Sequence, residues 1–585
     1  MWFKNPFKSK RKALFLFPLA FACIALFPMF GKGMFMDGIL YAIISQNVAN
    51  DVCGLWSLKI TDSLYPHFNE HPPLVFALQS LFFKFLGNHY WVERIYSLTT
   101  VLISAFLIVK IYQLIVRVCG GAPTEVFARV DGSTQTDGRA TMRVSAQKNE
   151  GKYPSAAWVL LLWISVPVVN RCAQNNMLEN TMLVFVLASV WAYFKSHSMQ
   201  SNLPYHLKNY SLSSFVWLFI SGCMLYLAFM AKGFTGLFPF SLPLIYFWTN
   251  KLTKNQSISH SGAIQQIPES IVNENQTSHS SSYSGFLKNA IFNAVAETLF
   301  MVAGFVLSFA LMSWIFPESL DALQRYFHKQ VIGSLEQVQT VSTRFKILGD
   351  YILAVLPMLF ASLFLGWYLD RKSTHNVNNK FSSEKSLFFN NKYSIYRVKS
   401  MIQNVSVVRF LLLLSLSGVL PIMISLKQSD YYIYCIFPLT AMALIIGFKD
   451  NWLAFENQLL GSNKWQLALV IICFLFGGWG FAQSGKVQRD KELWYDINSI
   501  VSSLKQKEGD NSLVLGSFRA LKDDWCLQAY LYRYYGITIQ NYRIPNDEKN
   551  FKYYLVPKNY TRDSLQGLYP LNLNLKKYEL WQKKR

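Results

Sequence analysis

Asp37 is the first residue whose type and place suggest chemistry, because it follows directly on the first long apolar run. An acid at a membrane edge is costly to keep there, so it reads as functional by default. It opens a polar, aromatic-studded stretch, Met36 to Leu74, that closes on the turn His71-Pro72-Pro73. Residues of like kind recur at the ends of later apolar runs: Glu70 and His71 in the same stretch, Arg94 at the end of the first external loop, then Asn175, Asn176 and Glu179. Lys232, Glu336, Arg344, Lys427, Asp430, Tyr431 and Tyr432 complete the set. Carboxylates can take a proton and cations can hold a phosphate. If all of these face one side, they line a cavity at the membrane surface suited to a lipid-linked phosphate donor. Such a donor needs basic groups at headgroup level and an acid near the acceptor.

The elements that must position them are membrane spans. The chain has 585 residues, 52% hydrophobic and 15% charged, and its apolar residues fall into runs near the roughly 20 that cross a bilayer. That composition predicts an α-helical polytopic membrane protein. The net charge of +23 lies mainly in short loops and near the C-terminus, which fits topology and lipid-surface electrostatics rather than nucleic-acid binding. The cysteines are scattered singly, with no CxxC, so neither a disulfide framework nor a zinc site is expected.

The N-terminus, MWFKNPFKSKRK, precedes an apolar run from Ala13 to Phe30. It is read as an uncleaved first span with its basic flank in the cytoplasm. The first external loop then covers 31–92. Within it, Leu74 to Gly87 is too short to cross and carries Gln79, Ser80 and Lys84, so it is expected to lie in the interface. Counting it as a span would put the Arg371-Lys372 pair outside, against the positive-inside bias. Further spans are expected near Ile95 to Val116, Ala156 to Val169, Met177 to Phe194 and Phe215 to Met230, with another directly after Lys232. The rest lie near Leu299 to Phe316, Ile347 to Leu369, Phe410 to Ile424, Ile433 to Phe448 and Leu467 to Phe481, eleven in all within a range of nine to thirteen. Gly120 to Lys152, Asn255 to Ser284 and the Lys- and Asn-rich stretch before Phe410 read as polar cytoplasmic loops. An odd count places the tail outside. There, helical stretches (Asp490 to Lys505, Asp524 to Tyr534) alternate with β-branched runs (Ser512 to Leu515, Ile537 to Ile539, Tyr553 to Val556), predicting a small soluble α/β domain over 485–585. The preceding 1–484 form the membrane domain.

The motif order resembles the GT-C glycosyltransferases, in particular family 39-type enzymes such as the lipid A aminoarabinose transferase and the protein mannosyltransferases. The motifs are MDG (Met36 to Gly38), HPPL (His71 to Leu74), AKG (Ala231 to Gly233) and KQSDYYIYCIFP (Lys427 to Pro438). The resemblance covers roughly Ala13 to Phe481, and such enzymes also carry a small C-terminal external domain. It implies transfer of a sugar from a polyprenyl-phosphate carrier to a lipid, glycan or protein acceptor on the external face, without a nucleotide sugar. It further implies a multi-pass protein of the bacterial inner membrane, with the N-terminus cytoplasmic and the C-terminal domain periplasmic. Asp37 matches the loop-one acid that activates the acceptor. His71, Glu179, Lys232, Lys427, Tyr431, Tyr432, Arg344 and Asn176 are the substrate-binding candidates, with the two lysines on the carrier phosphate. The family often has a second acid after the first, where this chain has Gly38, so a divalent metal lacks support and no cofactor is expected. Glu179 stands where the second loop often has an Asp.

Read without the resemblance, the same residues have plainer roles. Asp37 suits a helix N-terminus, and lysines at span ends snorkel. Tyrosines there form an aromatic belt, loop charges such as Glu336 and Arg344 are solvated, and Glu70 pairs with Arg94. A transporter or lipid flippase is the alternative function, although no internal repeat or matched pair of broken spans supports it. A scaffold whose tail binds a partner is a third.

Overall fold

The computed structural model describes residues 10–120, 153–198, 211–249, 272–336, 339–378, 404–509, 513–518, 521–541, 551–560, 565 and 567–584. Most of the cytoplasmic insertions expected at 120–152, 255–284 and before Phe410 lie outside them. A helix beginning at Val272, however, runs through the end of the second stretch.

The first apolar run forms α1 (Leu16–Ala25) between two 3-10 turns. Then come α2 (Met36–Ala49), α3 (Leu74–Leu86), α4 (Val92–Gly120), α5 (Ala156–Ser165), α6 (Pro167–Gln174), α7 (Leu178–Ser198) and α8 (Leu212–Lys232). After a 3-10 segment, Phe234–Ser241, and a helix over 242–249 come α9 (Val272–Ile315) and α10 (Glu318–Tyr326), the latter continued by a π-helical turn, Phe327–Ile332. The membrane part closes with α11 (Lys346–Asn378), α12 (Val405–Val419), α13 (Phe437–Gly447), α14 (Lys449–Leu460) and α15 (Asn463–Ala482).

Among the described residues, seven helices are long and apolar enough to cross a membrane, or eight if the bent pair α5–α6 is one span. Three further runs expected to span are helical but do not pass that test: the first run, broken by its 3-10 turns; α7, which carries Glu179, Lys195 and His197; and the segment after Lys232, half of it 3-10. The run expected to cross as Ala156 to Val169 instead turns by 80° between α5 and α6. Pro167 keeps Val166 extended, at φ −70° and ψ 124°, which ends one helix and starts the next. Outward faces are greasy: Phe292 is 72%, Trp314 80% and Phe474 79% exposed. Large apolar groups so exposed belong against lipid.

The main departure from expectation lies in the opening stretch. Met36 to Ala49 is a helix, not loop, and Ile39 to Ser45 are all buried. It packs on α3, whose Val75, Phe76 and Gln79 point inward while Phe85 is 85% exposed. The expected interfacial helix is therefore present, with a partner on one side and an open apolar edge on the other.

The C-terminal part is a five-stranded mixed sheet, order β2-β1-β3-β5-β4. Its strands are β1 (Val514–Ser517), β2 (Thr538–Asn541), β3 (Tyr553–Pro557), β4 (Leu568–Leu571) and β5 (Tyr578–Lys583), with helices α16 (Lys491–Glu508) and α17 (Trp525–Tyr535). β1 is parallel to β2 and β3, and β5 is antiparallel to β3 and β4. The last two strands go beyond the three that the sequence predicts.

The sheet domain docks on the end of the bundle where α2 lies. The Tyr530 hydroxyl lies 2.8 Å from the Met34 amide nitrogen and 2.9 Å from the Met34 carbonyl, and Tyr532 donates to Asn47 at 2.9 Å. Buried Arg533 meets buried Glu93 at 2.8 Å and the carbonyls of Asn88 and His89 at 3.0 and 2.9 Å.

Candidate active site

The site is built around the first turn of α2. Phe35 is extended and its N–H donates to Asn175 Oδ1 at 2.8 Å, so the helix starts at Met36 and Asp37 falls in its first turn. A carboxylate there faces the positive end of the helix dipole. Gly38 backs directly onto the turn between α6 and α7: a Cβ at this position would lie 1.8 Å from the Asn175 carbonyl oxygen. Close backbone packing thus takes the place of the second acid. Asn176, in the left-handed region at φ 52°, donates to the Gly38 carbonyl at 3.1 Å and accepts from Gln79 at 2.9 Å. It is a buried brace between α2 and α3 rather than a group facing a ligand.

Lys232, which acts electrostatically on Asp37, is the last residue of α8, where a cation suits the helix C-terminus. Gly233 follows at φ +90°, and a Cβ there would lie 1.8 Å from the Tyr326 hydroxyl. Left-handed backbone and close approach both require the glycine of Ala-Lys-Gly. Lys232 is only 6% exposed and forms an ion pair with fully buried Glu179, whose second oxygen, Oε2, has no partner. Its ammonium also lies 4.9 Å from the ring centre of Tyr431 and 5.2 Å from that of Tyr432.

Asp37 feels this whole cluster. Burial pushes its carboxyl up to about 6; Lys232 pulls against the rise, Glu179 and Glu70 add to it, and Lys427 opposes it. Burial likewise pulls the Lys427 ammonium below its ordinary value, and its Nζ donates to Gln330 at 2.8 Å. His71 is held well below its usual range by burial and by Lys232 and Lys427, so it is neutral. Its Nε2 lies 3.2 Å from the Tyr41 hydroxyl, one helical turn beyond Asp37.

Asp37, His71, Glu179, Lys232, Lys427, Tyr431 and Tyr432 thus come together from α2, α7, α8 and the segments preceding α3 and α13. Arg344 does not join them: it is exposed in the loop before α11, where its carbonyl accepts from Gln428. Glu70 pairs not with Arg94 but with Lys329 at 3.5 Å and Tyr65 at 2.7 Å. Arg94 is buried and donates to the carbonyls of Gln174 and Gly33. Asp430 pairs with Arg171.

The sequence reading missed Tyr41, Lys329, Gln330 and Arg171. For Tyr41 a signal existed, its i+4 spacing from Asp37, but only once 36–49 is seen as helical. The other three meet their partners across long sequence separations, with no local trace. Among the described residues no three His, Cys, Asp or Glu side chains are grouped to hold a metal ion. The arrangement offers a carboxylate poised to take a proton beside two cations that can face an anion, one of them already neutralised by Glu179.

By sequence, no protein-family model and no curated protein matches the chain. By structure, it is similar to ArnT from Cupriavidus metallidurans bound to undecaprenyl phosphate, with a TM-score of 0.53, 12% identity and 97% of each chain covered. The apo state of that protein gives a TM-score of 0.52, again 12% identity, over 96% of each chain. Over nearly its whole length the chain therefore has the fold of ArnT, the GT-C architecture that its motif order predicts.

Proposed function

We propose that the protein is an integral-membrane glycosyltransferase that moves a sugar from a polyprenyl-phosphate carrier to a hydroxyl of a lipid, glycan or protein on the external face of the membrane. The observation that carries this is one electrostatic cluster in which Asp37, its carboxyl raised to about 6 by burial, feels the buried cation Lys232. The fold is that of a protein whose structure holds undecaprenyl phosphate. Residues 1–484 are the catalytic membrane unit and 485–585 the external domain, with the N-terminus cytoplasmic.

In this reading the carrier phosphate lies against Lys232 and Lys427, whose charges oppose its own. An acceptor hydroxyl gives its proton to the Asp37 carboxylate as its oxygen bonds to the anomeric carbon. The bond from that carbon to the phosphate oxygen breaks, and the electron pair leaves with the polyprenyl phosphate. The lysines stabilise the charge that grows on the leaving group, and burial strengthens that effect. Glu179 keeps Lys232 in place before the carrier arrives. One displacement of this kind inverts the anomeric centre.

The test is transfer from a sugar-loaded undecaprenyl phosphate by purified protein in nanodiscs, with Asp37→Asn alongside. The variant is expected to keep its fold and lose transfer by about 10²- to 10⁴-fold, the usual worth of a general base. Undiminished transfer would remove Asp37 from this role. Comparing glycolipids and glycoproteins of a deletion strain by mass spectrometry identifies sugar and acceptor.

A further inference from the structure

The backbone just before α2 is held from the external domain as well as from the membrane bundle. At the outer ends of α1 and α15, residues 30–33 and 485–489 run side by side: the Lys32 N–H donates to the Lys486 carbonyl at 2.8 Å and the Gln488 N–H to the Lys32 carbonyl at 3.0 Å. Gly33, at φ +92°, comes so close that a Cβ there would lie 2.6 Å from the Arg489 carbonyl oxygen. The next residue, Met34, is buried. Its N–H donates to the Tyr530 hydroxyl at 2.8 Å, and that hydroxyl lies 2.9 Å from both the Met34 carbonyl and Asp490 Oδ2. One side chain of the sheet domain thus meets both backbone polar groups of the residue three before Asp37.

Tyr530 is built to fix a position rather than to follow one. Its ring is buried in the core of its own domain, 5.2 Å from the Trp494 ring and 6.1 Å from that of Tyr534, the latter nearly parallel at 18°. A ring locked by packing aims its hydroxyl at one place. Met34 in turn packs on the residue after Asp37, since its sulfur would lie 2.8 Å from a Cβ on Gly38. Close packing of this kind transmits a shift instead of absorbing it. The start of α17 also reaches the site. Cys526, one turn before Tyr530, has its thiol pushed up to about 11 by burial and by Asp490 and Asp524, with Arg489 opposing and Asp37 adding to the rise. Trp525 sets its ring 5.1 Å from that of Tyr65, in the loop that leads to His71.

Resting on the carrier reading above, we infer that the active site is incomplete without the external domain, and that Tyr530 is its positioning residue: through Met34 its hydroxyl fixes the start of α2 and with it the direction of Asp37. Tyr530 acts through the backbone and is not itself a catalytic residue. Asn175 on Phe35 and Arg94 on Gly33 hold the same backbone from the membrane side, so removing the Tyr530 hydroxyl loosens this turn without unfolding it. A loosened Asp37 is worse aimed at the acceptor, while the lysines that meet the carrier stay where they are. It is also better hydrated, which favours the charged carboxylate.

The test is steady-state transfer from sugar-loaded undecaprenyl phosphate by full-length protein in nanodiscs, measured across pH. Tyr530→Phe keeps the stacked ring and is expected to lower kcat about tenfold with the carrier KM unchanged. It should also move the rising limb of the kcat/KM profile to lower pH than in wild type. Gly33→Ala, which pushes the Arg489 strand off the same backbone, should repeat both changes. Tyr532→Phe removes a matching bond at the far end of α2, 2.9 Å to Asn47, and should leave kcat and the limb as in wild type. Tyr530→Phe and Gly33→Ala proteins that melt lower yet keep wild-type kcat and limb overturn the inference. An equal fall in kcat in Tyr532→Phe overturns it too, because general docking is then the cause. Should Tyr530→Phe not fold, Gly33→Ala against Tyr532→Phe decides by the same criteria. Wild-type transfer with unmoved variants removes the positioning role alone, whereas no transfer by the wild type removes the carrier reading and this inference with it.

Discussion

At the scale of single residues, the centre is a balance of charges. Burial pushes the Asp37 carboxyl up to about 6, so in its proposed role as base it works once ionised. The kcat/KM profile is expected to rise as pH increases through about 6 and to level above it. The same shift makes a stability statement. A carboxyl whose folded value lies above its ordinary 3.8 favours folding while protonated and loses that contribution as pH rises through about 6. Asp37→Asn should therefore raise the melting temperature at pH 8 and leave it nearly unchanged at pH 4, as scanning calorimetry would show. For Lys232, truncation alone is uninformative, because it strands Glu179 in the interior. The double variant Lys232→Met/Glu179→Gln removes both charges. It should hold its fold and bind undecaprenyl phosphate about 10- to 100-fold more weakly, the worth of a charge-assisted hydrogen bond; carrier affinity equal to wild type would take Lys232 off the phosphate.

At the scale of elements, α2 is the piece on which the site depends. Its burial is nearly all round, which leaves no amphipathic period to read, and at 14 residues it is too short for a span. In the sequence it therefore looks like a polar loop with apolar patches. Two glycines, Gly38 and Gly233, then set the approach of elements to each other. Gly38→Ala would gain about 0.5–1 kcal/mol of helix propensity, but the added carbon would lie 1.8 Å from the Asn175 carbonyl. The clash outweighs the gain, so a net loss of about 1–3 kcal/mol and a displaced Asp37 are expected, read as a lower melting temperature together with a fall in kcat. The π-helical turn after α10 is a second positioning element, held over the cluster by Lys329 on Glu70 and Gln330 on Lys427.

At the scale of the whole molecule, the sheet domain and the membrane bundle share an interior. Arg533 and Glu93 are 2% and 0% exposed and tie α17 to the start of α4, while Tyr530 and Tyr532 hold the two ends of α2. Arg533→Met leaves Glu93 with the Tyr534 hydroxyl as its remaining partner, and should cost about 3–5 kcal/mol, the penalty of breaking a buried pair. Thermal unfolding of the purified protein checks this, and a shift within error would mean the two parts fold independently.

Composition and run length by themselves determined the polytopic helical class, since apolar runs of bilayer length have few other uses. Local periodicity likewise fixed the two helices and first three strands of the tail, and the placing of Asp37, His71, Lys232 and Lys427 at the ends of apolar runs. The resemblance in motif order supplied the GT-C fold. What the chain alone could not reveal depends on contacts between distant segments. The 80° bend after Ser165 turns a span into a broken one, and the expected Glu70–Arg94 pair dissolves because closer partners reach each first. Arg344 stays outside because its side chain is exposed while its carbonyl is held by Gln428. Only the tertiary structure could convert the polar stretch after the first span into a buried helix, because burial on every side is a property of neighbours that the local sequence does not encode.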